Sequence, residues 1–185
     1  NSYAGISSTT ALSFTTADVV NPTLSSSSPA DNATAVALDA NIVLNFNESV
    51  DAESGNITIK KTSDDSTVES FNVTGSKVSG SGSSQITVNP TSNFDPNIEY
   101  YVLIDASAFD DSSSNSYAGI SSTTALSFTT ADVANPTLSS STPADNATTV
   151  ALDANIVLNF SESVDAESGN ITIKKTSDDS TLESF

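Results

Sequence analysis

Cysteine, methionine, tryptophan, histidine and arginine are absent from these 185 residues, and lysine occurs five times. Without cysteine there is no disulfide to hold a fold together, so stability has to come from apolar burial, which a unit of about 100 residues can supply. Without histidine, cysteine and arginine, and with neither a phosphate-cradling glycine loop nor a strand–turn–helix nucleophile elbow, the usual catalytic devices are missing, and the chain does not read as an enzyme. Twenty-three acidic residues against five lysines give a net charge of −18 and a pI near 4.1. Phosphate neutralisation needs clustered cations, so nucleic acid and anionic lipid are excluded as direct partners. No run approaches the roughly 20 apolar residues of a membrane-spanning helix, so direct membrane insertion is not expected. Aromatics for stacking against sugars are few, and Tyr117, in a polar stretch, is the one obvious exposed candidate.

What the chain does have is a repeat. Residues 1–71 recur as residues 115–185, with 66 of 71 positions identical. The exchanges (Val20/Ala134, Ser28/Thr142, Ala35/Thr149, Asn47/Ser161, Val68/Leu182) are mild. An offset of 114 residues is domain-sized, whereas solenoid repeats run to roughly 20–50, so independently folded units are expected. The phasing divides the chain into the last strands of one repeat at 1–19, a complete repeat at 20–133 and the first half of the next at 134–185. This reads as a window on a longer polypeptide; the alternative is that neighbouring molecules complete the cut ends by strand addition.

Within the complete repeat the apolar period is two. Ile42, Leu44 and Phe46 alternate with Asn41, Val43 and Asn45, and the same period holds at Ile57 and Ile59, Phe71 and Val73, and Ile86 and Val88. Glycine, proline and asparagine punctuate the pattern, and residues 75–84 form a glycine- and serine-rich turn. The run 100–104 (Tyr-Tyr-Val-Leu-Ile) loses its polar alternation, which predicts a central strand covered on both faces. A closing strand is expected at 126–129 and a helical turn at 106–109. Six or seven such strands make an all-β, Greek-key antiparallel sandwich.

The succession Pro29-Ala30-Asp31-Asn32-Ala33, then Val36-Ala37-Leu38-Asp39-Ala40-Asn41-Ile42-Val43-Leu44-Asn45-Phe46, Glu48-Ser49-Val50, Gly55-Asn56-Ile57, the 100–104 run and Leu126-Ser127-Phe128-Thr129-Thr130 resembles the bacterial Ig-like domain of the S-layer SbsA type. Asn32 stands where glycine is common in that family, a change that a turn tolerates. The resemblance implies tandem Ig-like sandwiches of about 114 residues in a large extracellular or surface-anchored bacterial protein, such as an adhesin or an S-layer protein.

Calcium is the ligand that the carboxylates suit, since it takes six to eight hard oxygen donors. Three groups qualify. Asp132 and its copy Asp18 lie in short proline-containing linkers, where a shared ion with Asp145 or Asp153 of the next unit would clamp two repeats together. Glu48, Asp51 and Glu53, copied as Glu162, Asp165 and Glu167, are expected in a loop, where ordinary solvation accounts for them as well. Asp105, Asp110, Asp111 and Asn115 form a denser loop that lacks the EF-hand order. The expected role is a structural spacer whose partners are the neighbouring repeats; the second reading is a self-assembling fibre, sheath or S-layer subunit with contacts to other copies.

Overall fold

A computed structural model describes residues 5, 6, 8, 9 and 12–185, so the strands expected at 1–19 fall partly outside the described residues. The chain forms two compact units, one reaching to Val133 and the other Ala134–Phe185.

In the first unit, strands β1 (Leu24–Ser28), β3 (Ile42–Ala52), β6 (Val78–Ser79), β7 (Ser83–Val88) and β9 (Phe109–Asp110) build one sheet, ordered β1-β3-β7-β6 with β9 beside the end of β3. Strands β2 (Ala33–Val36), β4 (Asn56–Lys61), β5 (Thr67–Asn72), β8 (Glu99–Ile104) and β10 (Ser127–Thr130) build the other, ordered β2-β10-β8-β4-β5. The period-two residues face inward. Ile42, Leu44, Ile86 and Val88 from the first sheet are buried in one cluster with Ile57, Ile59, Tyr100, Val102 and Phe128 from the second. At roughly 1.5–3 kcal/mol per fully buried large apolar side chain, this cluster is the main favourable term, and it needs no disulfide.

Strand β8 lies between β10 and β4, and its outward-facing Tyr101 is buried as well, with Lys60 over its ring and Asp65 on its hydroxyl, so the 100–104 run loses its polar alternation. The helical turn expected at 106–109 does not form. A turn leads directly into β9, because Phe109 is fully buried and pairs with Ala52. The turn expected at 75–84 also contains the short edge strand β6. Asn32 sits at φ 58°, the left-handed conformation that asparagine tolerates, in the turn that carries the chain from β1 into β2.

That crossover sets the polarity of the unit. β1 pairs antiparallel with β3, Pro29 lacks the N–H to continue the ladder, and the chain proceeds onward into β2, which pairs parallel with β10. The chain therefore enters at the end where Leu24 meets Phe46 and leaves at the opposite end, where the Ala131 N–H donates to the Val36 carbonyl at 2.8 Å. Each end has an aromatic cluster: Phe46 with Phe109 and Tyr117 at the entry, and Phe94 with Tyr100 and Phe128 at the exit.

The second unit consists of two hairpin-like pairs, β11 (Leu138–Thr142) with β12 (Val157–Phe160) and β13 (Thr172–Lys174) with β14 (Thr181–Ser184). Registers and bulges copy those of the first unit at the 114-residue offset: Leu138 opposes Phe160 as Leu24 opposes Phe46. Burial does not copy. Ile171 is 57% exposed, whereas Ile57 is fully buried.

Candidate functional site

The entry end of the first unit gathers charge. The carboxylates of Asp18, Glu48 and Asp111 each place an oxygen within 4.8 Å of the others. Each of the three acidic groups seen in the sequence contributes one member: the linker, the 48–53 segment and the 105–111 segment.

Packing beneath the charge explains the convergence. Glu48 lies within β3 and not in a loop, as does Asp51; the pairing of β3 with β7 slips between Asn45 and Val50, and this irregularity leaves Glu48 outside the ladder. The loop after β9 is anchored by Tyr117, which is buried with its ring edge-on to Phe46 at 5.1 Å and 89°. Tyr117 is therefore unavailable to a sugar, contrary to the exposed position expected from its polar neighbours. Anchoring that loop over Phe46 carries Asp111 towards Glu48, two residues along β3.

Asp111 is itself buried and well partnered. Its Oδ1 accepts the Ser113 and Asn115 N–H groups, each at 2.8 Å, and its Oδ2 accepts Asn115 Nδ2 at 2.8 Å. The Asn115 side-chain hydrogen bond, backed by the two backbone N–H groups, holds the Asp111 carboxyl below the usual aspartate range against the opposing effect of burial. Asn115 Nδ2 also lies 3.3 Å from the Asp18 carbonyl, so one carboxamide touches both the loop and the linker. A carboxylate offers about four acceptor positions, and three are used at Asp111, which leaves room for a cation.

The other candidate residues lie outside this trio. Asp105 Oδ2 accepts the Asn56 N–H at 2.8 Å, joining the end of β8 to the start of β4. Asp110 lies in β9 opposite Asp51, and its Oδ1 is buried without a hydrogen-bond partner. Asp51 Oδ1 accepts from Ser81 at 3.4 Å, and Glu53 is exposed. Asp145 and Asp153 correspond to Asp31 and Asp39. Asp31 Oδ1 accepts the Ser127 N–H at 2.9 Å, fixing β10 to the crossover. Asp39 follows β2 at the exit end, beside Leu38, whose carbonyl accepts the Phe94 N–H. In the complete repeat the linker carboxylate Asp18 thus gathers with Glu48 and Asp111. Asp145 itself accepts Asn146 Nδ2 at 2.9 Å, and Asp153 is exposed. Asp132, the second linker carboxylate, lies at the exit end of the first unit, after Ala131.

The place of Glu48 in the trio depends on the ladder slip and on Tyr117 packing, and the isolated tyrosine in the polar stretch 112–119 is the one trace of this in the sequence.

A family model described as bacterial Ig-like domain matches residues 18–130 and again 132–184. Two solved structures are similar in part: the S-layer protein rSbsC(31–844), at 16% identity and a TM-score of 0.39, and the N-terminal part of the bacterial S-layer protein SbsC, at 17% identity and a TM-score of 0.41. Each similarity covers 88% of this chain, which spans 22% and 37% of those two chains. No curated protein matches.

Proposed function

The chain belongs to the bacterial Ig-like domain family, a family of structural modules, and from that premise we propose that it is a run of spacer repeats from a large cell-surface or secreted adhesin-like protein, stiffened by calcium where linker meets repeat. The observation that carries the spacer role is the polarity of the complete repeat: the chain enters at one end of the sandwich and leaves at the other, so each added copy adds its length to the span. A net charge of −18 keeps such a chain soluble and self-repelling.

The calcium role rests on the trio at the entry end. Three carboxylate oxygens within 4.8 Å repel one another, and a hard divalent cation turns that repulsion into attraction. Because Asp18 lies in the linker and Glu48 and Asp111 in the repeat, an ion held by all three would fix the angle at which the linker enters. Extracellular calcium modules work at about 10⁻⁴–10⁻³ M, which suits a partly exposed site of this kind.

Small-angle scattering on three whole repeats, with calcium and then with excess chelator, tests both parts. A rod that becomes flexible on chelation, with the response lost in Glu48→Gln, is the expected result. Profiles that ignore the chelator refute the calcium role, and a maximum dimension near that of one repeat refutes the spacer. Sedimentation well above the monomer in calcium would favour the fibre or S-layer reading instead.

A further inference from the structure

We propose that the shortness of the inter-repeat linker is what keeps each half-repeat paired with its own other half. Near-identical neighbours create a choice. In the complete repeat, β7, β8 and β10 pair with β3, β4 and β2 respectively and cover their apolar faces. The following half-repeat carries the same surface: Ile156, Leu158, Phe160, Ile171, Ile173 and Phe185 stand where Ile42, Leu44, Phe46, Ile57, Ile59 and Phe71 stand, and its local pairings hold the same registers. Side-chain chemistry gives β7, β8 and β10 no reason to prefer the preceding half to the following one.

Connectivity supplies the reason. Because β1 and β2 run onward in the direction of β10, β11 could take the place of β1 only if the chain returned from the exit end to the entry end. The nine residues of β1 and β2 place those ends roughly 30 Å apart at about 3.3 Å per strand residue. Only residues 131–137 separate β10 from β11, and they include Pro136. From Thr130 to Leu138 that is eight Cα–Cα steps, at most about 29 Å when fully extended, which leaves nothing for the two reversals that this path needs. Pairing with the preceding half asks only that residues 73–77 join β5 to β6. The linker thus acts as a register lock, and no difference in sequence between repeats is required.

The test uses the natural lack of cysteine. Thr58 on β4 lies directly opposite Leu103 on β8, and Thr172 is the copy of Thr58. Thr58→Cys with Leu103→Cys reports the native pairing, and Thr172→Cys with Leu103→Cys reports the exchanged one. Each pair is oxidised slowly at low protein concentration in the full chain, with the native linker and with about 24 Gly/Ser residues inserted after Val133, a length chosen because a flexible chain of about 30 residues has a root-mean-square span near 30 Å. Bridged monomers and dimers are separated on a non-reducing gel. The native pair is expected to close in both chains. The exchanged pair is expected to close within monomers at least tenfold more in the lengthened chain. Closure of the exchanged pair in native-linker monomers overturns the proposal. So does its failure to close in lengthened monomers whose native pair closes.

Discussion

Ile57 and Ile171 occupy the same place in the repeat, with the same neighbours in sequence, yet Ile57 is fully buried and Ile171 is 57% exposed. Truncating each to alanine separates what the residue contributes by itself from what its surroundings contribute. At Ile57 the change removes three carbons from the middle of β4, facing the buried cluster between the sheets. Transfer at about 0.8 kcal/mol per methylene gives about 2.4 kcal/mol. The cavity left in a close-packed core raises this to about 3–4 kcal/mol. For a unit of this size about 4 °C accompanies each kcal/mol, so the melting temperature should fall by roughly 12–16 °C. Ile171→Ala should cost under about 0.5 kcal/mol, as surface changes do. Three of the four tyrosines (Tyr100, Tyr101 and Tyr117) lie in the complete repeat, so thermal melts followed by near-ultraviolet circular dichroism report on that repeat. Equal losses from the two substitutions, or a loss at Ile57 below about 1 kcal/mol, would refute the reasoning that burial between the two sheets holds the repeat together.

Asp31→Ala removes the acceptor of the buried Ser127 N–H and should cost about 1–3 kcal/mol, with faster hydrogen exchange at Ser127 than at Val102 as the specific sign. The Asp111 carboxyl is held below its ordinary value of about 3.9 chiefly by Asn115, so its contribution is complete above that pH and is lost as pH falls towards the depressed native value. Acid unfolding of Asp111→Asn should accordingly be less steep below about pH 4 than that of the parent, and parallel acid limbs would contradict the assignment.

The sequence by itself determined the pairing of strands that lie close along the chain. The same residues give the same registers and the same bulges in β1–β3 and β11–β12, and in β4–β5 and β13–β14, although only the first unit carries the strands that complete the sandwich. Backbone conformation copies as well: Asn32 and Asn146 both lie at φ 58°. These features depend on residues close in sequence and on period-two side-chain alternation, so they form wherever the segment occurs. Tertiary structure decided the rest. Residues 147–150 form no strand where their copy forms β2, because β2 exists only as the partner of β10. Phe14 is 88% exposed where Phe128 is buried, since its covering strands come from elsewhere in a repeat. The carboxylate trio is of the same kind. Linker, β3 and the 111–115 loop are far apart along the chain, and what brings them together is Tyr117 on Phe46, the slip in one ladder and Asn115 on the Asp18 carbonyl, a packing result that no local pattern encodes.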